Sequence, residues 1–421
     1  MTDRNALGEA LPETASTQRL PLPPQAPHAI SSEAEAIEIA HQLAAEFAET
    51  AAERDRQRLL PWDEMERYSA SGLAAITIPK AYGGLEASNA TLAQVFIIIS
   101  AADGSLGQIP QNHFALIQNL KDSGTETQRQ RWFNAVLNGA RFGNAGPEKK
   151  SKAATVTDVT ARLSRAADGG LRVSGTRFYS TGSMFAHWIP FRAADEQGRA
   201  VQVWVRRDAP GVRVIDDWNA FGQRTTASGS VVLTDVPVGE DDVVAIYAAS
   251  AKPTLSGPFS QLIQASIDQG IAQGALDEAV RYVREKTRAW MHSGIEHAWQ
   301  DPYIIQEIAQ LQVEVDAARE TLLEAANTID ALQAAPITEE SSATASVQVA
   351  RAKILTTEAA LHASERLFEL AGTSSARAAH NFDRYWRNAR VHTLHDPVRW
   401  KYHLLGNYRL NGALPKRHQW N

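Results

Sequence analysis

The stretch IAQLQVEVDAARETLLEAANTIDAL, residues 308–332, carries apolar side chains at Ile308, Leu311, Val315, Ala318, Leu322, Ala325, Ile329 and Leu332. Alternating steps of three and four residues keep one apolar face turned toward a shallowly crossing partner, so the spacing predicts a helix in a bundle. That stripe is core material. Helical texture extends outward in both directions, from Pro258 to the end of the chain, with Pro336 to Ser342 as a loop between long helices. Upstream, from about 152 to 245, the period changes to two. Arg172-Val173-Ser174, Val201-Gln202-Val203-Trp204-Val205, Val212-Arg213-Val214 and Ser230-Val231-Val232-Leu233 read as short antiparallel strands separated by Gly turns. Residues 33 to 140 are helical again: Ser31-Ser32 ahead of Glu33 and Glu35 makes an N-cap, and Pro79 with Gly83-Gly84 breaks the pattern. The order is α, then β, then α-bundle, an α+β chain. We divide it into a disordered tail (1–30), an N-terminal helical domain (31–141), a middle β domain (142–250) and a C-terminal four-helix bundle with its tail (251–421).

At 421 residues, with 44% hydrophobic and 21% charged residues, the chain can bury more than one core. A formal charge of −6 supplies no basic field for nucleic acid or anionic lipid. The densest apolar run, Val95 to Ile99, is too short to cross a bilayer. Glu9, Glu13 and the Pro-rich Leu20 to Pro24 replace the basic and apolar regions of a secretion signal, so a cytoplasmic protein is expected. There is no cysteine, which removes disulfides, thiolate metal sites and cysteine nucleophiles, and there are only four methionines. Drift produces such a composition; so does synthesis under sulfur starvation.

Four segments resemble the acyl-CoA dehydrogenase superfamily over roughly residues 35 to 410. They are Gly72 to Gly84, Gly124-Thr125-Glu126-Thr127-Gln128, Phe221 to Gly229 with Asp235-Val236-Pro237-Val238, and Arg387-Asn388-Ala389-Arg390. The resemblance implies a flavin between the β domain and the bundle, in a homotetramer. The departures bear on chemistry, because one fold hosts many functions. Where the dehydrogenases carry a glutamate base, this chain has Asp396-Pro397-Val398, with a shorter acid and a fixed backbone. Pro147 replaces a flavin-contacting threonine, and Glu369-Leu370-Ala371-Gly372 has lost one glycine on the adenine side, which favours FMN over FAD.

His392 to Lys401 and Gln111-Asn112-His113-Phe114 resemble the flavin-dependent monooxygenase branch of the superfamily, which holds the dibenzothiophene and methanesulfinate monooxygenases and the sulfur-acquisition oxidoreductases. That resemblance implies a two-component enzyme. Reduced FMN from a separate NAD(P)H-dependent flavin reductase reacts with O2 to a C4a-hydroperoxyflavin, which passes one oxygen to a small organosulfur compound. Histidine suits control of the accompanying proton, since it titrates near neutrality. The resemblance puts His395 beside the flavin, His392 one helical turn earlier and His113 in the pocket. Asn144, Thr181 and Ser180 are expected at the isoalloxazine edge, Arg288 at the cofactor phosphate and Gly372 in the part of the site that a neighbouring chain completes. No metal is expected. An FAD-dependent acyl-CoA dehydrogenase with Asp396 or a displaced acid as base is the alternative, and a flavin-binding regulatory or scaffold protein is a third reading.

Overall fold

The computed structural model describes residues 19–148, 160–249, 252–418 and 421. Six helices form the N-terminal domain: α1 (Glu33–Gln57), α2 (Trp62–Ala70), α3 (Asn89–Ala102), α4 (Gly104–Gln108), α5 (Gln111–Ser123) and α6 (Glu126–Leu137). Ser32 caps α1 by accepting from the Glu35 amide, and Thr125 with Gln128 closes a capping box on α6. The segment 19–30 departs from the disorder expected of it. It lies extended against this domain, with His28 N donating to Ala70 O at 2.8 Å and His187 Nε2 bonding Leu22 O at 2.8 Å. The remainder of the expected tail, 1–18, falls outside the described residues.

Among the described residues seven strands make one sheet: β1 (Arg162–Arg165), β2 (Leu171–Arg177), β3 (Trp188–Ala194), β4 (Ala200–Arg206), β5 (Val212–Ile215), β6 (Ser230–Val238) and β7 (Val243–Val244). Their order is β5-β6-β2-β1-β3-β4-β7. Every neighbouring pair is antiparallel except β1 and β3, which run parallel through the single register Arg162↔Ala194, so the sheet is mixed at one point. Stacking of Trp132 from α6 on Trp204 from β4, centroids 4.5 Å apart, joins the sheet to the helical domain in one core.

After the short α7 (Ile246–Ala249), the bundle comprises α8 (Ser256–Glu285), α9 (Pro302–Gln333), α10 (Glu339–Ala371), α11 (Asp383–His392) and α12 (Arg399–Asn411). The seam of α9 is buried from Leu311 to Ile329, while Tyr303, Ile305 and Val313 on its other side are exposed. Helix α8 is buried nearly all round, packed by α3, α9 and α10. It nevertheless carries Gln261, Gln264, Asp268 and Gln269 inward. Buried polar side chains must be partnered, so these mark where the bundle serves something besides packing. Among the described residues no helix is long and apolar enough to cross a membrane.

Candidate active site

Helix α11 ends at His392, and Pro397 prevents its continuation. In the turn that follows, His395 N donates to His392 O at 3.2 Å, and the His395 ring reaches the same carbonyl through Nδ1 at 2.7 Å. The side chain thereby satisfies a helix-end carbonyl that has no partner inside the helix. A carbonyl only accepts, so Nδ1 carries the hydrogen and Nε2 keeps its lone pair. That lone pair faces Gln108 Nε2, from the end of α4, at 3.1 Å. Burial, and then the neighbouring His392, push the His395 pKa down to about 4. The residue as a whole is exposed at the turn, while its ring packs against that of His392. At neutral pH it is an uncharged proton acceptor. If it takes a proton at Nε2, Gln108 can turn its amide to present Oε1, which has no partner now.

Behind His395 lies a buried ionic cluster drawn from three helices. Asp268 of α8 accepts from Lys353 Nζ of α10 at 2.7 Å and from His392 Nδ1 at 2.5 Å, with Thr357 Oγ1 at 3.4 Å. All three principal members are at most 1% exposed. The Asp268 carboxyl sits at about 2; burial alone would raise it, and Lys353 and His392 overcome that. His392 Nε2 is buried without a partner. The two imidazoles meet edge to face with centroids 4.9 Å apart.

On the other side of α4 the β domain supplies a polar edge. A Cβ on Gly182, whose φ is +82°, would sit 3.0 Å from Ile109 O, so the 180–182 segment passes directly beside the residue after Gln108. Ser180 Oγ is buried and unpartnered. Thr181 Oγ1 bonds Ser228 Oγ at 2.7 Å, and Ser228 continues to Thr226 at 2.8 Å. Asn144 Nδ2 reaches Tyr179 O at 3.4 Å. Three non-glycine residues here hold positive φ, namely Tyr179, Gln223 and Ala227. Such strain persists where surrounding structure enforces it, commonly at functional sites. Gln223 N donates to Asn388 Oδ1 of α11 at 2.7 Å, tying this edge to the histidine helix.

Of the expected residues, His395, His392, Ser180, Thr181 and Asn144 therefore gather around the end of α4. His113 lies beside them, lining a small cavity with Ile109 and Gly182, but its ring is already engaged. Its Nε2 bonds Ala74 O at 2.9 Å and its Nδ1 accepts from Phe142 N at 3.0 Å, leaving no ring nitrogen for a ligand; it clamps α5 to the β domain. Gly372 caps α10, and Arg288 lies exposed just beyond Thr287, whose hydroxyl bonds Leu370 O at 3.1 Å. These two are together, but at the far end of the bundle. Asp268 is 17 residues from Glu285, the end of α8, which is about 25 Å of helix. Within one chain they do not reach the histidines. Asp396, the acid of the dehydrogenase reading, is buried and held by Lys401 Nζ at 3.2 Å as a counter-ion. Among the described residues no group of His, Asp and Glu could hold a metal ion.

Gln108, Asp268, Lys353 and Gln223 were not expected. A charged residue on each apolar face of α8 and α10 is the signal that points to Asp268 and Lys353. FMN fits the gathered groups. Ser180 Oγ, Gln108 Oε1, His392 Nε2 and both amide ends of Gln223 are buried donors and acceptors awaiting partners, as beside a polar ring system.

Family models for the acyl-CoA dehydrogenase N-terminal domain and C-terminal domain match residues 32–140 and 262–400. Dibenzothiophene monooxygenase of Rhodococcus erythropolis is 33% identical over 394 residues, covering 90% of this chain and 94% of that protein. The FMN-bound structure of TdsC from Paenibacillus sp. A11-2 superposes with a TM-score of 0.87 at 33% identity, over 92% of this chain and 100% of that one. Methanesulfinate monooxygenase MsuC from Pseudomonas fluorescens gives 0.83 at 30% identity, over 91% and 99%. The dehydrogenase-like domains, the FMN-compatible polar edge and these relatives agree, and the chain belongs to the acyl-CoA dehydrogenase family, on its flavin-dependent monooxygenase branch.

Proposed function

We propose that this protein is an FMNH2-dependent monooxygenase acting on a small organosulfur compound, supplied with reduced FMN by a separate NAD(P)H-dependent reductase. When bound, the reduced flavin supplies the electrons that activate O2, one atom of which goes to substrate and the other to water. Ser180, Thr181 and Asn144 are the residues suited to hold the flavin edge. His395 takes and returns a proton at Nε2, with Gln108 following its protonation state. His392, fixed by Asp268, packs against the His395 ring and keeps its own Nε2 without a protein partner. The α4 end and the 180–182 segment pack closely and limit water, which would otherwise consume the activated oxygen. We also infer a cytoplasmic homotetramer in which Arg288 and Gly372 serve the flavin of a neighbouring subunit, because they lie too far from their own histidines.

The observation that carries this reading is the neutral His395, its Nε2 lone pair met by Gln108 beside the Ser180 edge. Replacing His395 with Ala should leave folding and FMN binding intact. Product per reduced FMN should fall about a hundredfold, the scale of losing a positioned acid–base group, while H2O2 release rises. Unchanged coupling in a destabilised variant would refute the assignment.

A further inference from the structure

A cavity of about 290 Å³ lies between α5, the β3–β4 face of the sheet and the start of α8, and Asn144 from the candidate flavin edge is part of its wall. Its volume is at the small end of the roughly 300–1,000 Å³ range of ligand pockets. Its lining is unusual for such a pocket. Arg192 and Gln202, cross-strand partners on β3 and β4, both border it. No hydrogen bond or ion pair engages the Arg192 guanidinium among the described residues, whereas the adjacent Arg177 is neutralised by Glu148 at 2.8 Å. Burial with no counter-ion pushes the Arg192 pKa down to about 10, so the side chain stays cationic at neutral pH. Gln202 Oε1 is buried and unpartnered, in a residue only 6% exposed.

An unpaired cation and an orphaned amide in one cavity are costly unless a ligand completes them. The remaining wall has the same character. Asn112, Asn119 and Asn144 bring side-chain amides, and Lys252 adds a second cation. Asp122 is the one acidic side chain among the described lining residues; it is engaged by Gln118 and Ser256, and burial raises its pKa, which weakens its charge. Arg417 also borders the cavity but is paired with Glu339 at 3.1 Å.

We propose that this cavity is the substrate site and that it takes a small organic oxyanion of sulfur, a sulfinate or sulfonate, with Arg192 binding its oxygens through two N–H groups and the side-chain amides orienting it. A guanidinium fork matches a planar or pyramidal oxyanion bidentately, whereas an apolar aromatic ring would strand the cation. The inference rests on the monooxygenase reading and narrows its substrate.

The test is calorimetric binding of methanesulfinate, dimethyl sulfone and dibenzothiophene to the full chain without flavin, followed by turnover of the same three with reduced FMN. Methanesulfinate is expected to bind best. Arg192→Met should weaken it by at least tenfold, and Arg192→Lys should recover part of the loss, since the charge remains and the fork does not. Circular dichroism and melting temperature of both variants establish that they are folded. Preference for dibenzothiophene or the sulfone, or sulfinate binding unaffected by Arg192→Met in the folded variant, overturns the proposal. Binding of sulfinate through Arg192 with no product keeps the subsite and refutes the monooxygenase reading. Product from dibenzothiophene with no response to sulfinate does the reverse.

Discussion

Replacing Asp268 with Asn removes the anion from a cluster that contains Lys353 at 2.7 Å and His392 at 2.5 Å, all at most 1% exposed. The ammonium of Lys353 would then be buried without its counter-ion. Breaking a buried pair from one side costs about 3–5 kcal/mol, a large share of the roughly 5–15 kcal/mol that holds a protein folded. The single variant should therefore melt early whatever the cluster does for catalysis. Asp268→Asn combined with Lys353→Met removes both charges and should restore stability to within about 2 kcal/mol of wild type, because neutral replacement of a buried pair is often tolerated. It does not restore the anionic acceptor that holds His392 as the Nδ1–H tautomer. An asparagine can turn its amide N–H toward that nitrogen, which would take the hydrogen off Nδ1 and leave the ring's hydrogen on Nε2. Product per reduced FMN should fall about a hundredfold in the double variant, the scale seen when a histidine's orienting acid is lost or an acid–base group misplaced. Nitrogen NMR of histidine-labelled protein, with His392 assigned by its replacement, reads the tautomer directly. A double variant that is stable, keeps the Nδ1–H tautomer and couples normally would reduce the cluster to packing.

Two further outcomes follow from the geometry. His113 is held neutral with a pKa of about 4, against about 6.5 when unfolded, so the unfolded chain takes up a proton over that interval and the native state does not. Its contribution, on the order of 3 kcal/mol, is present above pH 6.5 and is lost as pH falls toward 4; His113→Gln should flatten the urea-stability slope there, and an unchanged slope would place the acid sensitivity elsewhere. Gly182→Ala should cost at least about 1 kcal/mol and weaken FMN binding, because positive φ and the 3.0 Å approach to Ile109 O both oppose a Cβ; a variant with wild-type melting and FMN affinity would contradict this.

The sequence disclosed the bundle because the Leu311–Ile329 seam keeps its period for about five turns, and periodicity is a property of local spacing. The strands at 201–205 and 230–233 were legible for the same reason. The short β1 and β7, and the parallel β1–β3 contact, were not, since pairing across a sheet depends on residues far apart in the chain. At the site, the His392–His395 turn was readable from the sequence and its likeness to the family. The partners that give those histidines their chemistry were not. Gln108, Asp268 and Lys353 lie 287, 124 and 85 positions from what they bond, and only packing of α4, α8, α10 and α11 brings them together. His113 misled because its residue type suits a pocket, while both its nitrogens are spent on backbone groups that no sequence pattern reveals.

The most direct measurement of the central claim is mass spectrometry of product formed under isotopically heavy O2. Reduced FMN is generated by a flavin reductase, and methanesulfinate and dibenzothiophene are offered separately. A monooxygenase places one heavy oxygen atom in each molecule of product, in proportion to the FMNH2 consumed, and His395→Ala diverts that oxygen to H2O2. Recovery of all the consumed oxygen as H2O2 from the wild-type protein with every organosulfur compound, or product oxygen derived from water, would contradict it.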